Sequence, residues 1–238
     1  MGSNDMTVSV IIGGSRGIGL VISNQLIKRG DLVYTVSRTD SGRSNNICCD
    51  IVNNCDSIFS SIDRVDNIIF SHRYRGDDWN EAFDVTVKGV DNVMKAAIPK
   101  LSKGGSVVII SSTASYFVAE EQPAEYHSSR AALEGLMRYY AVRHGKEKIR
   151  FNCILPSTLI KPENSDFFIK GNKTREMIER ITPLGRMGKA EDVADLVDFL
   201  CSSRSSFITG NSFFVDGGIS LVGQEGIARG LLNLKHER

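Results

Sequence analysis

The sequence predicts an α/β fold, a doubly wound parallel sheet of about seven strands with helices on both faces. Three observations predict it. Short β-branched runs alternate along the chain with helical apolar patterns. Two of those runs, residues 67–70 and 107–110, are continuous enough for strands buried on both faces. A glycine-rich turn stands directly after the first run and opens the first helical pattern.

Taken in order, residues 7–12 form the first strand, and Leu20, Ile22 and Leu26 mark a helix that stops at Gly30. Further strands are expected near residues 32–36, 47–49, 67–70, 106–110, 150–155 and 212–215. Long helices are expected over residues 79–101 and 123–145. Repeated strand–helix alternation implies parallel strands joined by right-handed crossovers. Ligands of such sheets bind outside the carboxyl ends of the strands, so the residues just after each strand are the candidates.

Composition narrows the function. The 238 residues fit one domain, and no low-complexity stretch divides them. Lys plus Arg and Asp plus Glu nearly cancel, 29 against 28, so no global field recruits nucleic acid or an anionic membrane. No apolar run approaches the roughly 20 residues of a membrane-spanning helix, and residues 1–30 lack the pattern of a signal peptide. A cytoplasmic protein is expected. Five scattered cysteines, an odd number, read as reduced thiols acting as small buried hydrophobes rather than as a disulfide framework or a metal site.

Gly13-Gly14-Ser15-Arg16-Gly17-Ile18-Gly19 lies between the first strand and first helix. Glycines there allow a tight turn and close backbone approach to a pyrophosphate, which the helix N-terminus attracts. That is the dinucleotide turn of a Rossmann-type sheet. The second strand then ends in Ser37-Arg38, where an NAD enzyme usually presents a carboxylate to the ribose. Arg38, with Arg16, suits a 2′-phosphate and so favours NADP (NADPH), with Asp40 the rival ribose ligand.

Ser112 follows the fifth strand, and Tyr126 and Arg130 lie four apart near a helix start, on one helix face. With the glycine spacing, and with the last-strand segments Phe207-Ile208-Thr209-Gly210 and Val215-Asp216-Gly217-Gly218, the chain resembles the short-chain dehydrogenase/reductase family over about residues 7–220, and within it the classical 3-oxoacyl reductase-like type. The resemblance implies an NADP-dependent oxidoreductase that interconverts a ketone and a secondary alcohol. Tyr126 would exchange the proton, Ser112 would anchor the substrate oxygen, and Arg130 would be the cofactor and electrostatic partner. Gly13, Ser15, Arg16, Gly17, Ile18, Gly19, Ser37, Arg38, Asp50, Ile51, Tyr126, Arg130 and Leu159 would hold the cofactor, Asp50 and Ile51 bordering its adenine and Leu159 offering its backbone. It further implies a single domain over residues 1–238, a substrate lid at about 162–182, a C-terminal extension at 223–238, a small carbonyl or alcohol substrate, and a homodimer or homotetramer.

The sequence departs from the family pattern at several of these places. Arg130 stands where the family has lysine, Phe70-Ser71-His72-Arg73 replaces Asn-Asn-Ala-Gly, Thr86 replaces the relay asparagine, and Lys161 replaces the threonine that ends the turn after the sixth strand. Guanidinium keeps the positive charge that a phenolate needs, but it is bulky, planar and cannot release a proton. Two other readings follow from these exchanges: a non-redox dinucleotide scaffold, and a dehydration or isomerisation catalyst. The cations of His72, Arg73 and Arg75 suit an acidic substrate, and Phe167, Phe168 and Met177 in the lid suit a partly hydrophobic one.

Overall fold

The computed structural model describes residues 6–53 and 55–232. Its main sheet contains β1 (Val8–Ile12), β2 (Leu32–Ser37), β3 (Asn46–Cys48), β4 (Val65–Phe70), β5 (Leu101–Ile110), β6 (Arg150–Pro156) and β9 (Ser212–Val215). All neighbours run parallel, in the order β3-β2-β1-β4-β5-β6-β9. A second sheet pairs β7 (Leu159–Ile160) with β8 (Gly188–Lys189). The order reverses between β1 and β4, and this switch opens a crevice at the carboxyl edge.

Alternation along each strand fills both faces. Val10, Ile12, Ile68, Phe70, Val107 and Ile109 pack on one side with Val90, Val93 and Met94 of α3 (Gly89–Ala97) and Leu133 and Met137 of α4 (Ala124–Arg143). Ile11, Ile69, Val108 and Ile110 point the other way, to Ile22 and Leu26 of α1 (Gly17–Arg29) and Val193, Val197 and Leu200 of α6 (Ala190–Leu200). Strands buried on both faces follow from this arrangement.

The helix expected over residues 79–101 is interrupted. It comprises α2 (Trp79–Phe83), a π-turn over Asp84–Lys88, α3, and a 3₁₀ turn over Ile98–Lys100. Pro99 lacks an N–H and disfavours helix in the residue before it, so the chain turns extended at Leu101. The lid segment holds a 3₁₀ turn over Pro162–Asn164 and α5 (Lys173–Ile181), and α7 (Gln224–Leu232) packs against α5. Residues 233–238 of the expected extension lie outside the described residues. No helix among the described residues is long and apolar enough to cross a membrane.

None of the five cysteines forms a disulfide with another described residue. Burial pushes the thiols of Cys55 and Cys201 up to about 12, which keeps them protonated. Cys48 is exposed, contrary to the expectation that the cysteines serve as buried hydrophobes.

Candidate active site

A cleft of about 660 Å³ runs across the carboxyl edge at the switch between β1 and β4. At one end the chain leaves β1 through Gly13, whose φ of 82° is left-handed and whose N–H donates to Val36 O at 2.8 Å. A Cβ at Gly13 would lie 2.7 Å from the His72 backbone nitrogen, so only glycine fits between β1 and the loop after β4. Arg16 caps α1 without a side-chain hydrogen bond, and the first turn carries no acidic residue. That leaves the helix N–H groups and the positive pole for an anion. These features fit the diphosphate of a dinucleotide.

Of the cofactor-binding residues expected from sequence, Gly13, Ser15, Arg16, Gly17, Ile18, Ser37, Arg38, Asp50, Ile51, Tyr126, Arg130 and Leu159 line this cleft. Gly19 does not. It is buried beneath the turn, and a Cβ there would be driven into the Gly13 carbonyl oxygen, so its role is close packing. Asp40 does not line the cleft either; its carboxylate accepts from Gly42 N at 2.9 Å and shapes its own turn. Arg16 and Arg38 are both exposed and have no carboxylate partner among the described residues. Asn92 of α3 donates to Ile51 O at 3.1 Å and Val52 O at 3.0 Å, which fixes the loop carrying Asp50 and Ile51.

At the other end stand Ser112, Tyr126 and Arg130. Ser112 caps a short turn after β5, its Oγ accepting from Ala114 N at 3.1 Å. Tyr126 occupies the first turn of α4, with the Arg130 guanidinium 5.2 Å from its ring centroid and that of Arg73 4.8 Å away. Arg130 is only 4% exposed, and its Nη1 donates to Ile110 O at 3.1 Å. Burial alone would raise the Tyr126 phenol, but the Arg130 charge, a hydrogen bond with Ser112, and the charges of Arg73 and Lys161 outweigh it and hold the group below its ordinary 10. An acidified phenol beside a hydroxyl can give a proton to, or take one from, an oxygen lodged between them.

The loop after β4 corrects one expectation. His72 is not a cation facing substrate: its Nε2 lies 3.0 Å from Val85 O, exposed by the π-turn, while Nδ1 is enclosed without a partner among the described residues. Nε2 therefore carries the proton. Burial and the Arg130 charge lower the imidazole from 6.5 to about 4. The unfolded chain thus binds the extra proton first as pH falls. The His72 contribution to stability is complete above about 6.5 and is lost as pH drops toward about 4. The urea midpoint should fall as pH drops across that window, and His72→Gln should flatten this dependence; the same fall in both proteins would contradict it.

His127, beside Tyr126, has a structural role. Its Nε2 accepts from Ala119 N at 2.9 Å and its Nδ1 donates to Pro123 O at 2.9 Å, fixing the loop that precedes α4. In the lid, Phe167, Phe168 and Met177 stand off the cleft, which touches that segment only through Glu163 and Asn164. Thr86 is buried under a second cavity of about 420 Å³ behind Tyr126.

Sequence reasoning missed Glu163 and the Val85 carbonyl. Glu163 lies in a lid whose course follows from tertiary packing, and a backbone oxygen freed by a π-turn leaves no mark in residue types.

Known proteins share this fold. Residues 52–220 match a family model described as Enoyl-(Acyl carrier protein) reductase. The chain is 30% identical over 234 residues to an oxidoreductase of Schizosaccharomyces pombe, covering 89% of this chain and 90% of that one. It is 28% identical to the A-factor type gamma-butyrolactone 1′-reductase (1S-forming) of Streptomyces virginiae, covering 90% and 96%. The ligand-free aldohexose dehydrogenase of Thermoplasma acidophilum superposes with a TM-score of 0.82 at 26% identity, covering 92% and 96%. With its seven-stranded parallel sheet, the chain belongs to the short-chain dehydrogenase/reductase family and is an oxidoreductase of that type.

Proposed function

We propose that the protein is an NADP-dependent oxidoreductase that interconverts a ketone and a secondary alcohol on a small to medium-sized metabolite. The observation that carries this reading is the Tyr126 phenol, acidified by Arg130 and Arg73 and hydrogen-bonded with Ser112, in the cleft that the glycine turn opens. A bound nicotinamide dinucleotide supplies or accepts the hydride.

The chain supplies the rest. Ser112 holds the substrate oxygen and Tyr126 gives it a proton as the carbon is reduced; in the oxidising direction the phenolate takes the proton back. The resulting phenolate is stabilised by the permanent charge of Arg130, with Arg73 and Lys161 further out. Arg130 keeps its own proton, so Tyr126 exchanges with the open cleft and not through the guanidinium. Gly13, Ser15, Gly17 and Ile18 would hold the diphosphate, Asp50 and Ile51 would hold the adenine, and Leu159 would serve the nicotinamide.

Arg38 and Arg16, exposed at the end of β2 and in the turn, lack carboxylate partners among the described residues, which suits them to a 2′-phosphate. Calorimetric titration with NADPH and NADH tests this directly. Arg38→Ala is expected to weaken NADPH by about tenfold or more while changing NADH by less than about threefold. Equal losses for the two cofactors would remove the NADP assignment, and no binding of either at millimolar concentration would remove the dinucleotide reading itself.

A further inference from the structure

The dinucleotide end of the cleft already contains an anion from the chain itself. Glu163 sits in the turn that follows β7 and reaches back across the cleft to the first residue of α1. A Cβ placed on Gly17 would lie 2.6 Å from Glu163 Oε1. The carboxylate therefore rests against the glycine that opens the helix, at the positive pole where a diphosphate is attracted. The same Oε1 is 3.8 Å from Lys161 Nζ and 3.8 Å from Arg75 Nη2. Both ion pairs are long and partly exposed, a class of pair that contributes little and exchanges readily.

The turn that carries Glu163 is braced, whereas the Glu163 side chain is not. Asn164 Oδ1 accepts from Lys161 N at 2.8 Å and Asn164 Nδ2 donates to Leu159 O at 3.1 Å, which fixes the backbone on both sides. Moving the carboxylate off Gly17 thus needs a rotation of one long side chain and no change in the turn. A diphosphate and a carboxylate of like charge do not share one helix pole.

We propose that Glu163 is an internal anion that holds the ligand-free cleft, and that an incoming dinucleotide displaces it and takes over Lys161 and Arg75 as ligands of the diphosphate. The proposal rests on the dinucleotide reading above. Lys161 and Arg75, outside the glycine turn, then become binding residues, and Glu163 sets the affinity by competing with the cofactor.

The test is calorimetry with wild type, Glu163→Gln and Lys161→Met, using NADPH and, as a probe without a diphosphate, adenosine 2′-monophosphate. Glu163→Gln is expected to tighten NADPH by about tenfold and to leave the monophosphate unchanged; Lys161→Met is expected to weaken NADPH by a similar factor. Glu163→Asp keeps the charge but withdraws it from Gly17, and should tighten NADPH by a smaller factor; it also serves should Glu163→Gln fold poorly. Wild-type binding of NADPH with no gain in either Glu163 variant overturns the proposal and leaves the dinucleotide reading standing. An equal gain for the monophosphate also overturns it, since that would be a general charge effect. If neither wild type nor Glu163→Gln binds NADPH or NADH at millimolar concentration, the dinucleotide reading fails, and the proposal fails with it.

Discussion

Tyr126→Phe is expected to lower carbonyl reduction by about a thousandfold while NADPH affinity stays within about threefold of wild type. The substitution is informative because it deletes only the hydroxyl. Phenylalanine keeps the ring over which Arg73 and Arg130 lie, at centroid distances of 4.8 and 5.2 Å, so both guanidinium groups retain their aromatic partner. What is lost is the proton and the hydrogen bond with Ser112. Single-turnover reduction followed at the nicotinamide absorbance, with affinity measured separately, isolates the chemical step. Unchanged turnover would remove Tyr126 as the acid; a parallel collapse of affinity would mean that the hydroxyl supports binding instead.

Gly19→Ala is expected to produce the largest loss of stability among conservative changes near the site, about 2–3 kcal/mol, and to weaken NADPH by at least about tenfold. The added methyl would meet the Gly13 carbonyl oxygen, with Gly13 C and Gly14 Cα close behind. All three are backbone atoms, so no side chain can swing away, and relief requires the glycine turn to separate from α1. Gly135→Ala is the control. Gly135 lies in the middle of α4, exposed, and beyond the helix's own backbone no described residue comes within 4 Å of its would-be Cβ. There the methyl adds helix propensity and should stabilise by about 0.5–1 kcal/mol. Urea melts of the two variants, read together, separate a steric effect from a generic response to glycine replacement; equal and small shifts would refute it.

Much of this fold was legible because strand burial writes a simple pattern. Val107-Val108-Ile109-Ile110 is apolar throughout since alternate residues feed two different cores, and the glycine turn after β1 announces where the sheet meets its ligand. The expected seven strands, and the turn after β5 and helix α4 that carry Ser112 and Tyr126, all lie near the predicted places, with differences of a few residues at their ends. What stayed hidden depends on atoms that residue types do not encode. The π-turn at Asp84–Lys88 sits inside an amphipathic stretch that reads as continuous helix, yet it releases the carbonyl that engages His72. His72 itself looks like a loop cation until its enclosure is known, because an imidazole's charge is set by its surroundings. Gly19 looks like its neighbours in the motif, and only its depth distinguishes packing from lining.

The pairing of β1 with β4 has a consequence for how the molecule comes to exist. Ser9 pairs with Asn67 and Ile12 with Phe70, partners separated by 58 residues, while β5 and β6 join later still along the chain. Each such closure costs chain entropy before its contacts repay it, and parallel sheets accumulate these costs. During synthesis the glycine turn emerges early, Ser112 follows β5, Tyr126 and Arg130 follow in α4, and the Lys161 turn emerges only after β6. The cleft is therefore completed late, and a chain truncated ahead of β6 lacks the wall formed by residues 156–164.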